Sequence, residues 1–420
     1  MTADLVLRNV TLPTGRRADI VVTGGIVRHV GAPVRAGETI DCRGYTCLPG
    51  AVDMHVHMRG GVQAEKEDWH TGTMSAVAGG VTVVVDQPNT VPPITTPELL
   101  RARIREAEEQ AVCGFAVNAG VLPDADLAGM RDAGAMAFGE TFAAPSSYGE
   151  GLDAETLKGL FSRIHALGGL VTVHAEEVSG QAPATLAEHD SARSGAGEAR
   201  AVREVCALAP TDMGLHFCHL STAASIGAAR GTVEVTPHHL FLSHGMFDAD
   251  DTRARVNPPL RDEETRRDLW SCWEAIDVIA SDHAPHTLSE KAVPFETAPS
   301  GIPGVETMVP LLMAAVRKKR ITLASVIEKT SWRPAAILGV PRAGFEPGDR
   351  ADFALYPDEI TRIDASCLHA KCGWSPFEGL DAVFPEEVVV GGVRAYAHGD
   401  LREACAAWHP GQGYLSSQNK

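Results

Sequence analysis

The sequence predicts an α/β protein: a TIM-type (β/α)8 barrel with a small β-domain built from both chain ends. Between residues 51 and 282, eight short apolar runs are separated by segments long enough for a helix, which is typical of parallel βα units. Both ends of the chain instead carry β-rich runs with turn signals. We expect the β-domain to comprise residues 1–48 and 345–400, the barrel residues 49–344, and a C-terminal tail residues 401–420.

The predicted elements can be justified in chain order. Strand-like runs at 5–7, 19–22, 26–27 and 39–41 come first, with Gly24 and Gly25 as a turn between two of them. The eight apolar runs of the barrel are 51–57, 81–86, 115–119, 135–138, 170–174, 215–219, 233–236 and 276–282. Thr96 is the predicted N-cap of a helix over 97–110, and Asp153 of a helix over 154–167 that ends at Gly168. A helical stretch at 309–338 precedes two more strand-like runs, at 352–356 and 387–390.

Composition excludes several classes of protein. With 44% hydrophobic and 22% charged residues among 420, the chain is suited to a folded core and not to disorder. The 37 basic and 54 acidic residues give a formal charge of −17, which argues against a nucleic-acid or anionic-membrane partner. We find no apolar run of about 20 residues and no basic start of a signal peptide, and therefore expect a soluble, cytoplasmic protein. The nine cysteines form no C-x2-C pair and are expected to be mostly buried free thiols.

Candidate metal ligands recur where the predicted barrel strands end. His55 and His57 close the first run, and the two-residue period of a strand places them on one face, about 7 Å apart. His174, His219 and Asp282 close three further runs. Imidazole and carboxylate without thiolate suit zinc or, less well, manganese, iron or cobalt, and the strand ends of a barrel are where its active site lies. Cys218, next to His219, is expected to point to the other side of its strand.

These segments resemble the metal-dependent amidohydrolases and, among them, the long-chain dihydroorotases of archaea and bacteria. The resemblance extends over nearly the whole chain. It rests on eight segments in order, at 53–59, 87–90, 174–176, 219–222, 236–240, 257–261, 281–286 and 301–307.

The resemblance implies a pair of metal ions. One would take His55, His57 and Asp282, the other would take His174 and His219, and a carboxylate from the fourth strand would bridge them. Many relatives use a carboxylated lysine there, but this chain has no lysine between Lys66 and Lys158, so we assign the bridge to Glu140. We therefore expect two Zn²⁺ per chain. The alternative is one ion, with Glu140 only accepting a hydrogen bond at the rim.

The resemblance also implies a substrate and a reaction. Arg59, Asn89 and His286 would bind a carboxylate, Asn257 would contact the substrate ring, and Asp282 would be the catalytic proton carrier. The implied reaction is the reversible cyclisation of N-carbamoyl-L-aspartate to L-dihydroorotate in pyrimidine biosynthesis. The alternatives are another cyclic-amide hydrolase, such as an allantoinase or hydantoinase, and a non-catalytic scaffold with the same fold.

Two further expectations concern neighbours of the site and partners of the chain. The loop over 141–151 is a candidate lid or an ordinary connection, and Glu176 is either an orienting carboxylate or a solvated charge. The expected partner is a small-molecule substrate, with a homo-oligomer or association with other pyrimidine enzymes left open.

Overall fold

The predicted fold class is confirmed by the computed structural model, which describes residues 3–12, 15–31, 35–142, 151–180, 182–402 and 406–414. A parallel barrel stands beside a β-domain made from both chain ends. The chain enters the β-domain through five strands: β1 (Ala3–Thr11), β2 (Arg17–Thr23), β3 (Ile26–Gly31), β4 (Ala36–Asp41) and β5 (Thr46–Pro49). The first four form one sheet in the order β3-β2-β1-β4.

Eight parallel strands then form the barrel: β6 (Ala51–Val56), β7 (Val81–Asp86), β8 (Gly114–Val117), β9 (Phe138–Phe142), β10 (Val171–His174), β11 (Leu215–Phe217), β12 (Thr232–Val235) and β13 (Val278–Ile279). Two parallel bridges close the ring, one joining Val56 to His283 and the other joining Ala119 to Phe138. Because all eight strands run the same way, their carboxyl ends meet at one rim of the barrel.

The C-terminal strands return to the β-domain and then to the barrel. They are β14 (Phe353–Tyr356), β15 (Thr361–Arg362), β16 (Asp381–Ala382), β17 (Glu387–Val390), β18 (Val393–Ala397), β19 (Asp400–Leu401) and β20 (Ala407–Trp408). A second sheet, in the order β19-β18-β17-β14-β5, places an N-terminal strand beside C-terminal ones. A buried apolar cluster that contains Leu7, Ile20, Phe353 and Val389 joins the two ends of the chain.

Thirteen α-helices lie in the described ranges: α1 (Trp69–Ala78), α2 (Pro97–Gln110), α3 (Leu127–Asp132), α4 (Ala154–Ala166), α5 (Leu186–Ala192), α6 (Gly195–Leu208), α7 (Ala223–Ala228), α8 (Pro237–Phe241), α9 (Glu263–Ser271), α10 (Leu288–Lys291), α11 (Met308–Arg317), α12 (Leu323–Ile327) and α13 (Arg333–Leu338). The Thr96 side chain accepts a hydrogen bond from the Leu99 amide, and Asp153 caps α4 in the same way, as predicted. No helix in these ranges has the length and apolarity to cross a bilayer.

Several predicted elements differ from the structure: the run at 276–282 is a strand only over Val278–Ile279, and the helical stretch at 309–338 is divided into α11, α12 and α13. The fourth barrel strand continues to Phe142 instead of ending at Phe138, because Gly139, which reads as a strand breaker, is accommodated within the strand at φ 129°. The predicted tail also contains β20, which pairs in parallel with β8 at Gly114 and Phe115. The predicted lid segment lies mostly outside the described residues, since 143–150 are not among them. The domain boundaries stay a prediction.

Candidate metal centre and active site

A cavity of about 700 Å³ opens at the carboxyl ends of the barrel strands. Every residue that the sequence predicts for the site lines this cavity except His55 and His219. Those two side chains are fully buried and contact the lining residues Glu140 and Asp282. The structure therefore brings all ten predicted residues to one rim of the barrel.

The first group of predicted ligands surrounds one carboxylate oxygen. Oδ1 of Asp282 lies 3.1 Å from His57 Nε2 and 3.5 Å from His55 Nε2. Potential ligand atoms of the three residues all lie within 4.8 Å of one another. Burial alone would raise the pKa of Asp282. The charge of His55, a hydrogen bond with His57 and the charge of His219 together hold that pKa below its usual value. Asp282 is thus an ionised carboxylate beside two imidazoles.

Glu140 lies between this group and the other two histidines. Its Oε1 is 2.8 Å from His174 Nδ1 and 2.8 Å from His219 Nε2, while its Oε2 is 3.7 Å from His55 Nε2. Burial would raise its pKa, but hydrogen bonds with the three histidines hold the pKa well below the usual value. A carboxylate that contacts histidines from both predicted ligand sets has the position that a bridging ligand needs.

The buried nitrogen of His55 supplies an independent test of whether a cation fits here. Nε2 of His55 is buried and has no hydrogen-bond partner, although carboxylate oxygens of Asp282 and Glu140 lie 3.5 and 3.7 Å from it. An unpartnered polar atom is costly in a protein interior. A divalent cation among these imidazole and carboxylate groups would satisfy it, so the residues present fit a metal with nitrogen and oxygen ligands.

Two carboxylates behind the histidines fix their orientation. Glu234, within β12, lies 3.0 Å from His55 Nδ1, which turns His55 Nε2 toward Asp282 and Glu140. Glu176 lies 2.5 Å from His174 Nε2, which turns Nδ1 toward Glu140. Such carboxylate–histidine pairs set the tautomer of a ligating imidazole and raise its basicity. The arrangement favours the orienting role for Glu176 over the solvated charge.

Glu234 was missed by the sequence reasoning, although a signal was present. It is a carboxylate in the middle of an apolar strand, and it is fully buried. Burial would raise its pKa, but His55 and His216 hold it far below the usual value, so the carboxylate is ionised. A charged residue in a strand buried on both faces needs a partner, and that requirement alone singles out Glu234.

The expectation for Cys218 is wrong. A potential ligand atom of Cys218 lies within 4.8 Å of ligand atoms of both His55 and Glu234, so the thiol is on the same side as the metal-ligand cluster. The reason is the backbone at His219, where φ is 36° and the alternation of an extended strand is broken. Burial raises the pKa of Cys218 to about 12, which keeps it a neutral thiol.

Left-handed backbone recurs at the rim. Besides His219, both Asp282 and Arg59 have positive φ, at 47° and 51°. Non-glycine residues adopt this region rarely, and its strain is found where a side chain must be aimed at a site. These three residues leave strand geometry at the point where their side chains turn into the rim.

The predicted carboxylate-binding residues lie on one wall of the cavity. Arg59 Nε is 3.3 Å from the carbonyl oxygen of Pro285, and its Nη2 is 3.4 Å from His286 Nε2. Arg59 forms no ion pair with a described carboxylate. Burial together with the charges of Arg59 and Lys66 holds the pKa of His286 far below its usual value, so that its ring is neutral. The wall therefore presents one unneutralised guanidinium beside a neutral imidazole.

The two asparagines have different surroundings. Asn89 Oδ1 is 2.6 Å from His57 Nδ1, so this residue orients a predicted metal ligand and leaves its amide NH2 for the cavity. Asn257 Oδ1 is 2.9 Å from His189 Nε2 and accepts a hydrogen bond from the Ser300 hydroxyl at 3.2 Å. Asn257 is thereby held at the cavity wall with its amide NH2 also available.

Comparison with known proteins identifies the family of the chain. Residues 46–392 match the model of the Amidohydrolase family. A protein named dihydroorotase from Methanosarcina acetivorans is 38% identical over 404 residues, covering 88% of this chain and 86% of that protein. A dihydroorotase from Halobacterium salinarum is 38% identical over 406 residues, covering 93% and 96%.

Solved structures show the same fold. An L-hydantoinase (dihydropyrimidinase) from Arthrobacter aurescens superposes with a TM-score of 0.90 at 25% identity, covering 97% of this chain and all of that one. A dihydropyrimidinase from Brevibacillus agri superposes with a TM-score of 0.86 at 23% identity, over 97% and 99% of the two chains.

Proposed function

The chain belongs to the amidohydrolase family and, within it, to the dihydroorotases; from that premise we propose how its residues interconvert N-carbamoyl-L-aspartate and L-dihydroorotate. The observation that supports the proposal best is the juxtaposition at one cavity of the unneutralised Arg59 guanidinium and the cluster around Glu140. The first suits a substrate carboxylate, and the second suits a metal that acts on an amide carbonyl.

The metal is zinc in this proposal, with two ions per chain. His55, His57 and Asp282 would hold one ion, His174 and His219 the other, and Glu140 would bridge them. A bound divalent metal polarises a carbonyl and makes hydroxide available from water near neutral pH. A single ion is the alternative, in which Glu140 only accepts hydrogen bonds from its histidine neighbours.

Arg59 binds the carboxylate that the ring acid and the open-chain acid share. Its planar guanidinium offers two parallel N–H groups to the two oxygens of a carboxylate. Neutral His286 and the Asn89 amide complete the contact, and Asn257 and the backbone near Ser300 meet the edge of the ring. These contacts fix the ring so that its amide carbonyl faces Glu140 and Asp282.

Asp282 carries the proton between the reacting groups. In ring opening, water adds to the amide carbonyl carbon, and Asp282 accepts the proton that the water loses. The bond from that carbon to the ring nitrogen then breaks, and Asp282 returns the proton to the departing nitrogen. Ring closure follows the same steps in reverse and releases water. One carboxylate therefore serves as base and then as acid.

A different cyclic amide is the main alternative substrate, because hydantoinases and dihydropyrimidinases have the same fold. Hydantoin and allantoin carry no carboxylate for Arg59. The unneutralised guanidinium in the cavity wall therefore favours dihydroorotate. A scaffold without activity has no need to retain the complete set of predicted ligands at one rim.

The test is turnover of L-dihydroorotate in both directions by purified protein, with elemental analysis of metal on the same sample and hydantoin and allantoin as comparison substrates. We expect turnover of dihydroorotate alone, with about two zinc ions per chain. Asp282→Asn should abolish turnover while the protein stays folded. Turnover of hydantoin or allantoin in preference to dihydroorotate would contradict the substrate, and full activity of Asp282→Asn with normal metal content would contradict the proton carrier.

A further inference from the structure

A buried lysine, Lys291, lies behind one wall of the cavity. It is the last residue of α10, and it is only 1% exposed. Among the described residues, no carboxylate forms an ion pair with it, and the centre of the Trp374 ring lies 5.8 Å from its Nζ. Lysine is almost never fully buried without a charged partner, because leaving water costs its amino group free energy. The hydrogen bonds of this amino group therefore indicate what the residue does.

The amino group of Lys291 joins two segments of the cavity wall. Nζ donates one hydrogen bond to the carbonyl oxygen of Arg255 at 3.1 Å and another to the carbonyl oxygen of Pro299 at 2.8 Å. Residues 255–257 and residues 299–301 all line the cavity, and we call them the two wall segments. Lys291 thus sets the separation of the wall segments from behind, and because its side chain is buried it does so without contact with a bound substrate.

The two wall segments carry groups that the proposed mechanism uses. The Ser300 hydroxyl donates to Asn257 Oδ1 at 3.2 Å, and the Ser300 carbonyl oxygen lies 3.2 Å from His286 Nε2. The Gly301 amide donates to the carbonyl oxygen of Arg255 at 3.1 Å. All of these contacts require that the wall segments keep their separation. The hydrogen bonds of the lysine therefore determine where Asn257 and the Ser300 backbone stand in the cavity.

This connection does not depend on the charge of Lys291. Burial lowers the pKa of Lys291 to about 7, so the ammonium and the neutral amine are both present near neutral pH. The ammonium has three N–H groups and the amine has two, so either form can donate to both carbonyl oxygens. Methionine is of similar length but has no N–H group, and it would remove the connection.

We propose that Lys291 is a positioning residue, which holds the two wall segments at the separation at which Asn257 and the Ser300 backbone meet the substrate ring. This inference rests on the proposed function and deepens it, because Lys291 acts on the substrate only through these groups. The edge of the ring that they meet is not the part that reacts, so their contacts are similar in the bound substrate and in the transition state. Weakening such contacts raises KM and leaves kcat nearly unchanged.

The experiment compares Lys291→Met with Lys329→Met as the matched control. Lys329 is also buried, also donates to a backbone carbonyl, that of Ile276, and also lies over a tryptophan ring. Ile276 precedes β13 and is therefore at the end of the barrel opposite the cavity. Lys291→Met should raise KM for dihydroorotate about tenfold and change kcat less than about threefold, whereas Lys329→Met should change neither constant.

A third variant covers the case in which Lys291→Met does not fold. Lys291→Gln keeps an NH2 group on a shorter side chain, so its KM should lie between those of the unaltered enzyme and Lys291→Met. Melting temperature and metal content of each variant show whether the fold and the metal centre are intact.

A double-mutant cycle tests whether Lys291 acts through the wall segments. Lys291→Met should lower kcat/KM about threefold or less in the Asn257→Ala background, because a group that it positions is already gone. Two residues that contribute independently would instead multiply their full effects.

Hydrogen exchange of the protein without substrate measures the connection directly. The peptide that contains the Gly301 amide should exchange faster in Lys291→Met than in the unaltered protein, because the carbonyl that accepts from this amide is no longer held. Lys329→Met should leave exchange of the same peptide unchanged.

These measurements separate failure of the inference from failure of the proposed function. Unchanged exchange at Gly301, faster exchange with unchanged KM, or a full effect of Lys291→Met in the Asn257→Ala background would overturn the inference and leave the proposed function in place. Absence of dihydroorotate turnover by the unaltered enzyme would contradict both. A rise of KM confined to the Lys291 variants, with faster exchange at Gly301 and a reduced effect in the Asn257→Ala background, would support both.

Discussion

Replacing Glu234 by Gln tests whether this buried carboxylate tunes the metal centre. Oε1 of Glu234 lies 3.0 Å from His55 Nδ1 and accepts a hydrogen bond from the His219 amide at 3.0 Å. Oε2 lies 3.1 Å from His216 Nε2. A glutamine has nearly the same shape, and its amide oxygen can keep the first two contacts while its NH2 donates to His216. The substitution thus removes the charge and preserves the packing.

The expected loss of zinc affinity follows from the effect of the Glu234 charge on His55. An ionised partner at Nδ1 makes His55 a stronger base and fixes the tautomer in which Nε2 is free to bind metal. Loss of such a partner typically weakens metal binding 10- to 100-fold. We therefore expect zinc affinity to fall by about that factor, which corresponds to roughly 1.4–2.8 kcal/mol.

The assay is competition for zinc with a chromophoric chelator, followed by elemental analysis of the protein. Glu198→Gln is the matched control, because Glu198 is also a buried carboxylate but bonds Arg261 and Ser221 instead of a proposed metal ligand. It should lower the melting temperature without changing zinc affinity. Unchanged zinc affinity in Glu234→Gln, or an equal loss in both variants, would refute the reasoning.

Two further outcomes are expected. Arg59→Met should raise KM for both reactants at least about thirtyfold, near 2 kcal/mol, with metal content unchanged, because the shared carboxylate loses a charged partner; steady-state kinetics with unchanged KM would contradict this. Burial lowers the pKa of Lys291 to about 7, below the 10.5 of an exposed lysine, so the unfolded chain binds the extra proton between those pH values. The free energy of unfolding should therefore rise with pH from about 7 to 10 relative to Lys291→Met, as denaturant titrations at several pH values would show, and a difference that does not change with pH would rule it out.

Local signals in the sequence predicted much of the fold correctly. The strand at 81–86 and the helix at 97–110 have the bounds that the sequence predicts, because a valine-rich run and a threonine cap with proline behind it are decided by neighbouring residues. The apolar runs were enough to predict the barrel, since this prediction requires only that each run is recognised as a strand. Strand ends were less predictable where the backbone turns left-handed, as at His219 and Asp282.

Some residues of the candidate site could be predicted from the sequence, and others could not. Histidines and aspartates at strand ends are visible as a pattern, and the structure brings them together. Contacts between residues far apart in sequence are not visible: Glu234 of β12 lies 3.0 Å from His55 of β6. The backbone torsion that turns Cys218 and His219 into the same cluster likewise depends on tertiary packing and not on local composition.

The pairing of β20 with β8 has a consequence for synthesis on the ribosome. Trp408 packs against Gly134, and the Gly411 amide donates to the Gly134 carbonyl, so this late segment lies between the third barrel strand and the chain entering the fourth. The third strand emerges early in translation, but its partner at Ala407 emerges only after the remaining barrel strands and most of the β-domain. Until then, β9, the strand that contains Glu140, lies beside an edge of β8 that has no partner. Nascent chains with such unpaired edges are exposed to mispairing and to capture by chaperones. The segment that the sequence predicts as a tail is thus the last part of the barrel to be made.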